Sequence, residues 1–322
     1  LTDLYKTRAQ QLRDKYDYLV LCYSGGVDSH NILHSFIQNN IKVDEVVCDY
    51  PVKLVEKINY SLTADKHHQN FISEWFLTVK PDFEQLQITN PEIKISFLDS
   101  FSDVTLLTYQ ESISFCSEPA HYSTVKRWKN IANHVNEIKN KNKIALIMAV
   151  DKPIVYATDK YYGFLFVDPP TNIKPDILHP DRCTMEFFYW SPDLLDIPIV
   201  QARKMWDFLL QNKTFTKEVF NKQKQGKRIS WSRTEGFNDL TNTLCYPYWH
   251  RTRHQVDKGS FFHGQYKIFS EKFANYDFMK SSTQNLQEVY RQLDPLIAMQ
   301  NGHNFDLDTK LFSNFHPMGE LP

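Results

Sequence analysis

The stretch Tyr18-Leu19-Val20-Leu21-Cys22-Tyr23-Ser24-Gly25-Gly26-Val27-Asp28-Ser29 decides the fold. Its first six residues are an unbroken apolar, β-favouring run of strand length, and Ser24, Gly25 and Gly26 end it. From Val27 to Gln38 the spacing becomes helical, with Ile32, Leu33 and Phe36 on one face; Asn39 and Asn40 close the helix, and Lys42 to Cys48 begins a second strand. Strand, turn, helix and strand in close succession make a βαβ unit, with parallel strands and a right-handed crossover. Outward from this unit, residues 1–16 carry Leu4, Tyr5, Ala9 and Leu12 at helical spacing, and residues 61–79 have a helical pattern. Ile93 to Leu98 reads as a third strand, and Ser123 is an N-cap for a helix through Lys139 with Val125, Trp128, Ile131 and Val135 inward. The wholly apolar run Ile144 to Val150 predicts a central strand buried on both faces. Ile154–Thr158 and Tyr161–Val167, parted by Asp159 and Lys160, predict a hairpin.

After Asp168 the texture changes. Pro169, Pro170, Pro175, Pro180, Pro192 and Pro198 crowd together, and helical stretches (199–212 and 283–299) then alternate with aromatic, irregular segments such as Tyr246-Pro247-Tyr248-Trp249. The expectation is an α/β protein, with an open, mostly parallel sheet in residues 1–168 and a mostly helical substrate or lid domain in 169–322. A length of 322 residues agrees with two domains. Hydrophobic residues at 42% and charged residues at 23% describe a folded chain rather than a disordered one. Lys and Arg total 37 against 38 Asp and Glu, so a nucleic-acid grip spread over the whole surface is excluded and any such contact is confined to a patch. Five dispersed cysteines (Cys22, Cys48, Cys116, Cys183, Cys245) form no C-x-x-C pair, which argues against a disulfide framework or a four-thiolate zinc site. No apolar run approaches membrane-spanning length, and residues 1–16 are charged and amphipathic, unlike a signal peptide; the expected location is the cytoplasm, with no membrane partner.

Ser24–Ser29 stands where a strand hands over to a helix. Ligands of open α/β sheets bind at the carboxyl ends of strands, and there a helix N-terminus offers N–H groups and partial positive charge to a phosphate. Gly25 and Gly26 let the backbone curl around the anion, and Ser24 and Ser29 add hydroxyl donors. Asp28 would repel a bare phosphate and makes sense as the holder of a Mg²⁺ that bridges to phosphate oxygens. The loop lacks the lysine of a Walker A motif and does not follow G-x-G-x-x-G.

A strand followed by Ser-Gly-Gly-x-Asp-Ser and a helix resembles the PP-loop of the N-type ATP pyrophosphatases, whose fold is of the adenine nucleotide alpha hydrolase-like (HUP) type. That superfamily cleaves ATP between the α- and β-phosphates, adenylates a substrate oxygen, releases pyrophosphate and lets a nucleophile displace AMP. Within it, Cys22 to His30, Val150-Asp151-Lys152-Pro153 and Glu186 to Asp193 are most similar to stand-alone asparagine synthetase-like proteins encoded by viruses of bacteria. The chain departs from asparagine synthetase in having neither a glutaminase domain nor a Gly-Glu-Gly-x-Asp-Glu segment. The resemblance implies ATP and Mg²⁺ as cofactors, a small-molecule carboxylate or amide as acceptor, and ammonia or an amine as donor. It implies that Ser24, Gly25, Gly26, Val27, Asp28 and Ser29 hold the phosphates and metal, and that Cys48, Asp49 and Tyr50 flank adenosine. It further implies Asp151 as a second metal ligand and Lys152 as a charge stabiliser at the α-phosphate.

Other residues are less specific. Glu186, inside Met185-Glu186-Phe187-Phe188-Tyr189-Trp190, is expected either to sit in core or to act as a general base with a raised pKa. His30 and His34 share a helix face at metal-ligand spacing but lack an H-E-x-x-H glutamate, and packing is the expected role; His67 and His68 are adjacent and diverge. Arg182 and Lys204 are candidates for an anionic substrate. Residues 203–233 hold nine Lys and Arg (Arg203, Lys204, Lys213, Lys217, Lys222, Lys224, Lys227, Arg228, Arg233) against Asp207 and Glu218, with Trp231 nearby. That stretch is either a solvated face or a nucleic-acid contact. Two further readings therefore stand beside the main one: a PP-loop enzyme that amidates or thiolates a nucleic-acid base, and a non-catalytic nucleotide-binding protein.

Overall fold

The protein was analysed as a computed structural model, which describes residues 1–49, 75–98, 130–149, 152–157, 160–165, 178–191, 193–212, 237–249 and 315–320. Helix α1 (Thr2–Lys15) leads into strand β1 (Tyr18–Cys22), helix α2 (Val27–Ile37) and strand β2 (Glu45–Asp49). A π-helical turn, Trp75–Val79, runs into α3 (Lys80–Thr89), which starts with Pro81 where a missing N–H is harmless, and then β3 (Lys94–Leu98). Helix α4 (130–136) precedes β4 (Ile144–Met148). Then come β5 (Ile154–Ala157), β6 (Tyr161–Leu165), β7 (Cys183–Phe187), α5 (Asp196–Gln211), α6 (Phe237–Cys245) and β8 (His316–Glu320). The expected helix at 283–299, most of the one at 61–79 and the start of the one capped by Ser123 lie outside the described residues.

Five strands form one sheet in the order β3-β2-β1-β4-β7, parallel throughout. The fold is therefore α/β. Alternation along each strand sends side chains to two faces. On one face Leu19, Leu21, Val46, Ala145 and Ile147 pack with Tyr5, Ala9 and Leu12 of α1, Ile32, Leu33 and Phe36 of α2, and Ala202, Met205 and Trp206 of α5. On the other, Val20, Cys22, Val47, Leu146, Met148 and Cys183 pack with Ile131, Ala132 and Val135 of α4. Both faces being covered explains why β1 and β4 read as continuous apolar runs. Asn40 and Asn140 take left-handed backbone (φ 54° and 60°), Asn40 where the chain leaves α2, as the helix-closing Asn pair predicts.

The division at residue 168 does not separate the two parts. β7, beyond it, is the fifth strand of the main sheet. The predicted hairpin of β5 and β6 forms, and β8 joins it as a third antiparallel strand. At Gly163 a Cβ would stand 2.1 Å from the His316 carbonyl oxygen, so only glycine admits β8 this closely. The Trp206 indole N–H donates to the Gly163 carbonyl at 2.7 Å and ties this small sheet to α5.

The end of the main sheet where its strands begin is stitched by charge. Glu45, fully buried, takes the His134 ring nitrogen at 2.6 Å, the Lys94 ammonium at 3.0 Å and the Tyr18 hydroxyl at 3.0 Å. Burial alone would raise its pKa, but these partners and the Ser96 hydroxyl outweigh burial and hold it near 2, against a usual value of 4.5. Asp44 is held low in the same way: burial opposes, and Arg13 (2.6 Å), the Leu19 N–H (2.9 Å) and Lys42 (3.0 Å) prevail. Because the folded pKa of Glu45 lies below its unfolded value, its contribution is complete above about pH 4.5 and fades as the pH falls towards 2. Glu45→Gln is expected to flatten the acid limb of stability, removing on the order of 3 kcal/mol of its pH dependence. Urea midpoints measured from about pH 2 to 7 check this, and an unchanged acid limb would refute it.

Candidate functional site

β1 hydrogen-bonds to β2 on one edge and β4 on the other, so the strand order reverses direction at β1. In open parallel sheets the carboxyl end of the strand at which the order reverses is the usual place for a ligand. Ser24, Gly25 and Gly26 occupy this place. Gly25 has φ 75°, the left-handed region in which a Cβ costs about 1–2 kcal/mol. Gly26 is the N-cap of α2 in extended backbone, and the His30 N–H to the Gly26 carbonyl (3.0 Å) is the first helical bond. The loop is closed on itself. The Ser29 hydroxyl donates to the Gly26 carbonyl at 3.1 Å and accepts from the Ser24 N–H at 3.2 Å, and the Gly26 N–H reaches the Ser24 hydroxyl at 3.3 Å. The first-turn N–H groups of α2 have no acceptor within the helix and point along its axis out of its N-terminal end.

Register places the neighbours. Cys22 pairs with Val47, and the Tyr23 N–H donates to the Val47 carbonyl at 2.8 Å, so buried Cys48 and Asp49 end β2 level with the start of the loop. Lys152 follows β4, and its ammonium donates to the Asn242 side-chain carbonyl at 2.7 Å and lies 5.2 Å from the centre of the Tyr246 ring. The Tyr246 hydroxyl donates to Asp28 Oδ1, and the Tyr189 hydroxyl donates to the Asp28 backbone carbonyl at 2.7 Å while accepting from Asn31 at 3.0 Å. Asp28 and Lys152 are thus gathered by one short piece of chain, α6 and Tyr246. Tyr50 and Asp151 lie outside the described residues.

Glu186 takes a different place from the raised-pKa base allowed for by its aromatic surroundings. It is buried on β7 with Arg8 at 2.8 Å, Lys15 at 2.9 Å and the Tyr16 hydroxyl, all from α1 and its end. Burial pushes its pKa up, but the hydrogen bonds of Tyr16 and Lys15 and the charge of Arg8 outweigh burial, and it settles below the usual carboxylate range. A base needs a raised value, and this carboxylate is committed to fastening α1 to the sheet. Arg182 likewise binds protein: it donates to the Ile138 and Lys141 carbonyls at the end of the sheet where β7 begins, away from the loop. Arg203 and Lys204 are exposed on α5, and Lys213 to Arg233 lie outside the described residues. His30 meets the Tyr23 hydroxyl (3.3 Å), Asp82 of α3 (3.8 Å) and the His34 ring (4.2 Å between centres). His67 and His68 lie outside the described residues. Burial pushes the Cys245 thiol up to about 12, so it stays protonated.

Asn242, Tyr246, Tyr189 and Asp82 were not singled out by sequence reasoning. Tyr189 and Tyr246 lie in aromatic segments that drew attention without a role, and Asn242 and Asp82 carry no local signal.

The donor set fits a nucleotide that brings its own magnesium. Mg²⁺ is commonly held by one or two carboxylates together with substrate phosphates and water, and Asp28 stands at the anion-binding end of α2. Among the described residues no group of three or more His, Cys, Asp and Glu could cage a metal without such a ligand.

Compared with protein-family models, curated proteins and solved structures, the chain matches none.

Replacing Glu186 by Gln is expected to destabilise the fold by about 3 kcal/mol, because Arg8 loses its buried counter-charge. Urea unfolding checks this, and a stability equal to wild type would refute it.

Proposed function

We propose that the chain is an ATP pyrophosphatase-type enzyme of the PP-loop superfamily, similar to the stand-alone asparagine synthetase-like proteins. It breaks the bond between the α- and β-phosphates of ATP, passes AMP to a carboxylate or amide oxygen of a small molecule and releases pyrophosphate. Ammonia or an amine then displaces AMP. The observation that carries the reading is the position of Ser24–Ser29 at the reversal of strand order, with Asp28 and Lys152 gathered against one helix. The order β3-β2-β1-β4-β7 fits the HUP-type sheet that the loop sequence implies.

Each group has a physical task. The first turn of α2 and the hydroxyls of Ser24 and Ser29 bind phosphate oxygens, exchanging their contacts within the loop for the ligand. Gly25 and Gly26 keep that approach clear of side chains. Asp28 would hold the cation that accompanies the nucleotide, and magnesium, when bound, would supply neutralisation of phosphate charge. Lys152, fixed by Asn242, stabilises charge at the α-phosphate. Cys48 and Asp49 line the adenosine side from the end of β2. Tyr50 and Asp151 belong to the same proposal on the strength of the sequence alone.

The test is incubation with ATP, Mg²⁺ and pooled metabolites. The expected products are AMP and pyrophosphate in equal amounts, triggered by one component of the pool. Asp28→Ala and Lys152→Ala are each expected to lower that release by about 10²–10³-fold with little change in thermal midpoint. ADP with inorganic phosphate would overturn the reading. Binding without turnover in any pool would leave a nucleotide sensor.

A further inference from the structure

Asp28 and Lys152 enter the site from two different strand ends, and a single five-residue piece, Asn242 to Tyr246, touches both. We propose that Tyr246 and Asn242 are positioning residues: the Tyr246 hydroxyl orients the Asp28 carboxylate for the magnesium carried by the nucleotide, and Asn242 aims the Lys152 ammonium at the phosphates. This rests on the nucleotide-binding reading above and extends it to a part of the chain, well beyond residue 168, to which the sequence assigns only a lid or substrate role.

The rigidity of the segment supports a positioning role. The Cys245 carbonyl accepts from the Tyr5 hydroxyl at 2.6 Å, and that hydroxyl accepts from Gln201 at 2.8 Å, so α1 and α5 fix the end of α6. Tyr246 continues the helix through its N–H to the Asn242 carbonyl at 2.8 Å, and its ring packs 5.3 Å from that of Tyr189. Tyr189 in turn holds the Asp28 backbone. Both the carboxylate's main chain and its side chain are therefore held by buried tyrosines on fixed elements. A carboxylate offers about four lone-pair sites, so accepting one hydroxyl is compatible with holding a cation. Donors that orient a metal-binding carboxylate are commonly worth about 10–100-fold in metal affinity.

The probe is the non-cleavable α,β-methylene analogue of ATP, titrated calorimetrically in magnesium and in EDTA. Tyr246→Phe, which keeps the ring, is expected to cut the gain in affinity due to magnesium by about 10–100-fold while leaving the EDTA affinity unchanged. In an Asp28→Asn background the same change should do nothing further. Asn242→Ala is expected to weaken binding about tenfold in both conditions, leaving the magnesium gain intact, and gives a second reading if Tyr246→Phe does not fold. A magnesium gain that is unchanged or enlarged in Tyr246→Phe, an effect that persists without Asp28, or an Asn242→Ala variant of wild-type affinity would overturn the proposal. Wild-type protein that binds no analogue in either condition would remove the nucleotide reading itself, a result seen before any variant is made.

Discussion

β1 is hydrogen-bonded to parallel strands on both edges, and everything at the site follows from that. A parallel neighbour needs a crossover, and crossovers of one hand must leave to opposite sides once the order reverses. The loop after β1, Ser24–Gly26 with the first turn of α2, stands at that reversal, with Cys48 and Asp49 ending β2 beside it and Lys152 following β4. Asn242 and Tyr246 of α6 and its end meet Lys152 and Asp28 there.

The charged residues inside the protein are concentrated where helices meet the sheet. Arg8 with Glu186 joins α1 to β7, Glu45 with His134 joins β2 to α4, and Asp44 with Arg13 joins the entry of β2 to α1. Isolated, each carboxylate would be driven towards neutrality by burial. In place, each is held below its ordinary range because two or more donors converge on it. Such multiply bonded charges tolerate little movement and fix the angle at which a helix lies on its strand. Fixed helix positions are a condition for a loop and a lysine from different strands to meet one tyrosine.

Much of this was legible. The apolar runs at β1 and β4, the glycine break between β1 and α2 and the β5–β6 hairpin are local patterns, and the structure has them within a residue or two. β7 was missed because only Cys183 and Glu186 of its five residues are buried and prolines flank it, so it reads as loop. α3 was missed because Phe83 and Leu86 are its only buried positions, too few to set a period. At the site, the loop announces itself through glycine and serine, whose backbone needs are local. Asn242 and Tyr246 do not, since their meaning lies in contacts with residues 90 and 218 positions away. Glu186 shows the converse: its aromatic neighbours suggested an isolated acid, while the cations that claim it come from a helix more than 170 positions earlier.

Two of the buried partners of α1 lie far along the chain. Arg8 waits for Glu186, and the Tyr5 hydroxyl waits for the carbonyl of Cys245, 240 positions on. The guanidinium and the phenol are tolerable in the interior only once those groups are in place. Because these contacts tie α1 to elements 178 and 240 positions away, its burial depends on distant chain, and helix and sheet close together rather than segment by segment.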